Sequence, residues 1–133
     1  MSVEEDVVTL IKTLCNPPVA VLDSFTAETR GTIPGIVVEQ RETNGVVDSI
    51  NRVDTLYCNI IVRGAQGEKG RLDAAKLSAD LYTKLLLVMD TELNGEQYLR
   101  IYPDSVPFRT ITVDGKRCDF QFGLELKHII RGA

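Results

Sequence analysis

Three glycines, Gly64, Gly67 and Gly70, stand where a strand hands over to a helix, with Lys69 and Arg71 beside them. Backbone amides at such a joint can cradle a phosphate at the positive end of a helix. The spacing is neither G-x-G-x-x-G nor G-x-x-x-x-G-K-[ST], however. Lys69 is followed by Gly70 and Arg71, with no hydroxyl for a metal ion, and Glu68 would repel an anion. The expectation is a connecting loop. His128 is the only histidine. It shares the parity of Phe122 and Leu126, which places it at the edge of a core. A general base needs a nucleophile and an orienting partner, and no serine here lies in a G-x-S-x-G context. His128 is therefore expected to be a packed or hydrogen-bonded structural histidine. The three cysteines, Cys15, Cys58 and Cys118, are odd in number and lack metal-type spacing. They are expected to be reduced and structural, without a disulfide. Asp104, Asp114 and Asp119 do not form a calcium loop. Asp114 belongs to a turn, and the other two are expected to face solvent. No catalytic, metal-binding or cofactor-binding set is assigned. What remains is a group of cations, Arg30, Arg41, Arg52, Arg63, Lys69 and Arg71, spread among loops and interleaved with acids. As a functional group they make an electrostatic rim for a protein partner.

The chain bounds what can carry these residues. Its 133 residues suit one core, so 1–133 is read as a single domain. A net charge of -4 and a pI near 5.0 argue against binding nucleic acid by phosphate neutralisation. The start, Met-Ser-Val-Glu-Glu-Asp, is acidic where a secretory signal would be basic, so no signal is expected. The longest apolar run, Leu85 to Met89, is far too short to span a bilayer.

The C-terminal stretch is the clearest element. Cys118, Phe120, Phe122, Leu124, Leu126 and Ile130 alternate with Arg117, Asp119, Gln121, Glu125 and Lys127, the period of a half-buried strand. Asp114-Gly115 before it suits a two-residue hairpin turn, because both central positions need positive φ. Arg109 to Val113 supplies the other arm. At the N-terminus, Ser2 and Glu5 form a capping box, and Val3, Val7, Leu10, Ile11 and Leu14 recur at helical spacing. Asn16-Pro17-Pro18 stops that helix. Strands are expected at Val19–Leu22, Ile33–Gln40 and Thr55–Arg63, the last with Leu56, Cys58, Ile60 and Val62 on one face. After the turn at Glu42-Thr-Asn-Gly45, Val46–Ile50 is expected to pair back on Ile33–Gln40. The longest helix is expected over Arg71–Met89, with a stripe of Leu72, Ala75, Ala79, Tyr82, Leu86 and Met89 widened by Leu81, Leu85 and Val88. Asn94-Gly95 turns the chain into a strand at Tyr98–Tyr102, and Pro103 and Pro107 bound the next loop.

This pattern predicts an α+β fold: a two-layer sandwich whose mostly antiparallel, mixed sheet is covered by two helices. Thr55 to Tyr102 forms a crossover if its strands are parallel. The polar stretch from Asp23 to Asp54 is read as a projecting β-hairpin or loop.

The order of elements, with a strand ending in Val62-Arg63-Gly64, a Gly-rich loop, an Ala-containing helix and then Pro107 and Asp114-Gly115-Lys116-Arg117, resembles the tail terminator proteins of long-tailed bacteriophages. These are also called tail completion, head–tail joining or minor capsid proteins. The resemblance covers essentially the whole chain. It implies a non-enzymatic virion protein without cofactors. Such a protein forms a homo-oligomeric, usually hexameric, ring on the tail-tube protein, ends tube polymerisation and meets the head–tail connector proteins. DNA would be only passing cargo, and an acidic balance suits a channel that passes it. The place implied is the virion tail at the head–tail junction, reached from the host cytoplasm, with no membrane role. Two other readings stay open: another connector, neck or head-completion protein, and a small cytoplasmic enzyme using a loop site with His128 or a cysteine.

Overall fold

A computed structural model of the chain describes residues 3–15, 20–22, 35–41, 47–48, 52–65, 67–111 and 118–130. The element order is α1 (Val3–Leu14), β1 (Ala20–Leu22), β2 (Gly35–Gln40), β3 (Val47–Asp48), β4 (Val53–Arg63), α2 (Glu68–Leu85), β5 (Met89–Leu93), β6 (Glu96–Pro103), β7 (Phe108–Ile111) and β8 (Cys118–Ile129). The fold is α+β: two helices and one sheet in the order β1-β2-β4-β8-β6-β5, with β3 on β4 and β7 on β8. Among the described residues only the β1–β2 pair is parallel, so the sheet is mixed as expected.

The sheet is organised by its two longest strands. β4 and β8 pair antiparallel from Val53 opposite Ile129 to Arg63 opposite Asp119. Their alternation puts Cys58, Ile60, Val62, Phe122, Leu124 and Leu126 on one face, all buried. β6 and β7 share the far edge of β8 in succession, β6 along Leu124–His128 and β7 along Cys118–Gln121. Since β4 and β6 are both antiparallel to β8, they run parallel with β8 inserted between them. That meets the condition for the expected crossover through α2. The hairpin register, Ile111 opposite Cys118, is that of the expected arms, and the Asp114-Gly115 turn lies outside the described residues. The Asn94-Gly95 turn is seen directly, with φ of 52° and 84° between β5 and β6. Positive φ at both positions matches the right-handed twist of the flanking strands.

Both helices pack on this apolar face. Val3, Val7, Leu10 and Ile11 of α1 join Ala74, Leu81 and Leu85 of α2 in one cluster with the strand residues. Three polar contacts fasten α1. Glu4 accepts from the Gln40 amide at 3.1 Å, Lys84 Nζ donates to the Leu14 carbonyl at 2.8 Å, and buried Asp6 accepts from Asn94 Nδ2 at 2.9 Å and from the Tyr98 hydroxyl. Lys84 also brings a cation to the negative end of the α1 dipole.

Four expectations are corrected. α2 begins at Glu68 and ends at Leu85, and the residues after it form β5 rather than more helix. Its buried face is Gly70, Ala74, Ser78, Leu81 and Leu85, about one residue round from the expected stripe. Leu72, Leu86 and Met89 are exposed instead. The cause is that small residues let the first half of α2 approach the sheet closely, so contact follows Gly, Ala and Ser rather than hydrophobicity. The Ser78 hydroxyl is satisfied locally by the Ala75 carbonyl at 3.1 Å. Third, Val47–Asp48 pairs with β4 and not with β2. Fourth, Asp119 is buried rather than solvent-facing. The capping residue Ser2, the Asn16-Pro17-Pro18 stop and most of Asp23–Asp54 lie outside the described residues. No helix among the described residues is long and apolar enough to cross a membrane.

The corrected face generates a paired expectation. Leu81→Ala removes a side chain with 1% exposure and should cost about 2–5 kcal/mol. Leu86→Ala, at a half-exposed position, should change stability by no more than about 0.5 kcal/mol. Urea melts of the two variants check this. Equal losses would return Leu86 to the buried face.

Candidate functional site

Charged side chains close the two ends of the β4–β8 ladder. At one end Arg63 faces Asp119 across the strands and donates twice, Nε to Oδ1 and Nη2 to Oδ2, each at 2.8 Å. This bidentate geometry is the strong form of the pair, and it explains how Asp119 is buried. At the other end Asp54 faces His128. His128 Nδ1 lies 2.8 Å from Asp54 Oδ1, and Nε2 lies 2.7 Å from Glu96 Oε2 on β6. The ring also lies 5.2 Å from that of Tyr98, its cross-strand neighbour. Both imidazole nitrogens face carboxylate oxygens, so both must donate, which is the imidazolium form. Burial alone would lower the His128 pKa. Hydrogen bonds and charge from Glu96 and Asp54 outweigh it, and the net shift is upward. His128 is thus a hydrogen-bonded structural histidine, with neither nitrogen open to act as a base.

On the sheet face away from the helices lies a cleft of about 340 Å³, lined in part by Arg41, Asn59, Asp104, Phe108 and Gln121. Arg41 Nη2 donates to Asp104 at 2.7 Å, and its guanidinium stands 4.9 Å from the Tyr57 ring centre. Gly123 makes this possible, since a Cβ there would stand 2.0 Å from Asp104 Oδ1. The Gly123 amide donates to Ser105 Oγ at 2.8 Å, and its carbonyl accepts from Asp104 N at 3.0 Å. The cleft therefore holds a neutralised ion pair and a serine whose oxygen is engaged by the backbone. The one carboxylate among the residues lining the cleft, Asp104, is held by Arg41.

The Gly64–Gly70 joint has a mechanical explanation. A Cβ on Gly64 would lie 2.1 Å from the Gly70 carbonyl oxygen, and one on Gly70 would lie 1.9 Å from that of Ala65. The glycines let strand end and helix start touch, so phosphate chemistry is not needed to account for them. Glu68 and Arg71 pair across the first turn, and that hydrogen bond lowers the Glu68 pKa.

The five candidate cations among the described residues are spread over separate elements. Arg63 and Arg41 are engaged within the fold by Asp119 and Asp104. Arg52 is exposed at φ 56°, and its carbonyl accepts from Ile130 N at 2.7 Å. Lys69 is exposed and Arg71 half-exposed on the first turns of α2. Arg30 lies outside the described residues. Of the thiols, Cys58 is buried and Cys15 partly so. Burial, with Glu4 adding and Arg41 subtracting, pushes the Cys58 thiol up to about 12. Burial outweighs Lys84 in raising Cys15. Raised values disfavour the nucleophilic thiolate. Among the described residues no group of three or more His, Cys, Asp or Glu is placed to hold a metal ion.

Sequence reasoning missed three sets of exposed apolar residues, one of them Val106 and Phe108 at the entry to β7. Leu86, Leu87, Met89 and Leu99 stand out at the end of α2 and on the adjoining β5–β6 hairpin, with Leu87 at 80% and Met89 at 67% exposure. Leu72 stands alone near the start of α2 at 53%. The signal available was the excess of apolar residues over what one helix face can bury in Leu85–Met89. In comparison with known proteins, no family model matches the chain and no curated protein matches it.

The His128 cluster predicts a pH dependence. Its native pKa is raised above the ordinary 6.5, so the folded state binds the proton more tightly than the unfolded chain does. The stabilisation should be complete below pH 6.5 and be lost as pH rises through the raised native value. His128→Gln should flatten this part of the stability profile, as measured by denaturant midpoints across pH 5–9. An unchanged slope in the variant would assign the dependence elsewhere.

Proposed function

We propose that this chain is a structural assembly subunit of the tail-terminator kind. In this reading it forms a ring on the tail tube of a long-tailed bacteriophage, ends tube polymerisation and offers the face to which the head connector joins. It acts without catalytic residues or cofactors. The subunit is taken as a two-layer sandwich; the segment read as projecting, Asp23–Asp54, contributes β2 to its sheet, with Ile36 and Val38 in the core.

The observation that carries the reading is the apolar group Leu86, Leu87, Met89 and Leu99. Large apolar side chains left exposed after α2 and on β5 and β6 favour a protein partner. β5 is also an outermost strand of the sheet, with backbone groups on one side left for a neighbour. The residues best suited to chemistry are meanwhile tied up: His128 between two carboxylates, Arg63 on Asp119 and Arg41 on Asp104. The sequence resemblance supplies the particular assembly, and capping a cylinder requires matching its rotational symmetry.

Electron microscopy of the purified protein, alone and mixed with tail tubes, tests this. Closed rings seated on tube ends are expected, and a phage lacking the protein should give overlong tails and free heads. Tubes left uncapped, with tails of normal length in the deletion, would overturn the terminator assignment.

A further inference from the structure

Asn94-Gly95 does more than turn the chain. An asparagine before glycine is open to loss of its amide, because glycine has no side chain to shield its backbone nitrogen. In that reaction the Gly95 nitrogen attacks Asn94 Cγ. A C–N bond forms, Nδ2 leaves as ammonia, and water opens the resulting succinimide to aspartate or isoaspartate. Asn94 is exposed to such chemistry, yet its amide is engaged. Nδ2 donates to Asp6 Oδ1 at 2.9 Å and to Thr9 Oγ1 at 3.1 Å, both on α1. These bonds hold the side chain toward α1 and occupy the group that must leave. The backbone is held as well, at φ 52° and 84°, by the pairing of Leu93 with Glu96.

The acid product would meet a site built for a donor. Asp6 is 1% exposed, and its other oxygen takes the Tyr98 hydroxyl. It belongs to no ion pair among the described residues. The Thr9 hydroxyl is already directed to the Glu5 carbonyl at 3.0 Å. A carboxylate at position 94 would therefore set one anion against another with no proton or cation between them. Isoaspartate would in addition lengthen the backbone of a two-residue turn whose geometry sets the strand register.

We propose that Asn94 is a deamidation site gated by α1. The docked helix protects the amide, and conversion to the acid stops the helix from docking again. The modification is thus a one-way release of the N-terminal helix from the β5–β6 hairpin.

A double-mutant cycle tests the charge clash. Asn94→Asp should lower the urea midpoint and give α1 faster hydrogen exchange than the sheet. Adding Asp6→Asn exchanges the two ends of the contact. The new amide can donate to the acid at 94 and accept from Tyr98, so the double variant should recover most of the lost midpoint. Where Asn94→Asp does not fold, recovery of folding in the double variant decides the same question. The gate is tested on the wild-type protein held at alkaline pH and mapped by mass spectrometry. Asn94 should survive many-fold longer in the folded protein than in the same protein unfolded in urea, and the converted fraction should carry the fast-exchanging α1. Asn94→Asp as stable as wild type, or a double variant no better than Asn94→Asp alone, would overturn the clash. Equal conversion in folded and unfolded protein would overturn the gate.

Discussion

The β4–β8 ladder is the constraint on which the rest of the structure depends. A strand slip of one residue would turn every side chain to the opposite face. Here it would expose Cys58, Ile60, Val62, Phe122, Leu124 and Leu126 together. The apolar face alone resists such a slip. The charged pairs at its two ends add a second, directional lock, because Arg63–Asp119 and Asp54–His128 are satisfied in the same register. With that register set, β8 presents its far edge first to β6 and then to β7, and α2 must cross the apolar face to carry the chain from β4 to the other side.

The same pairing occupies several of the residue types that chemistry would use. His128, Asp6, Asp119 and Arg63 are all at least half-buried, and each has a specific partner on another element. Buried polar groups left unpaired would cost on the order of 1–3 kcal/mol each, so their pairing is a condition of folding. Asp6 shows this well. It lies on the buried face of α1, takes hydrogen bonds from Asn94 and Tyr98, and so ties the helix to the β5–β6 hairpin. Burial and the Asp6 carboxylate keep the Tyr98 phenol protonated. These contacts draw distant parts of the chain together.

What was legible in the sequence had a local cause. Alternation revealed the faces of β4 and β8, and Asn94-Gly95 announced its turn, because period and positive φ are properties of neighbouring residues. What was not legible depended on close approach between separated backbones. The face of α2 was misplaced because Gly70 and Ser78 read as polar or neutral, while their small size is what brings the helix onto the sheet. Gly123 interrupts an otherwise bulky strand, which signals a close contact. Its neighbours Asp104 and Arg41 could be known only from the fold. The pairing of Asp119 likewise follows from the register with Arg63, not from its place in an alternating strand. Leu72 and Leu86 were visible as apolar residues but were assigned inward, so their exposure emerged only when the helix was turned by one position.

That turn bears on the symmetry of any assembly. If two copies met edge to edge through β5, the two-fold axis would set Asp90 and Glu92 of one strand against the same acids of the other, an unfavourable placement of like charges. It would also leave the Leu72 face uncovered on both subunits. The irregular start of β5, with Asp90 at φ 45° beside the β6 bulge between Tyr98 and Arg100, further weakens a simple strand-to-strand match. A head-to-tail arrangement avoids these costs, but it can end in either a closed ring or an open filament. Side-chain complementarity within one contact cannot decide between them, because the rotation per subunit is set by backbone geometry. A cylindrical template decides it by fixing the angle between neighbours.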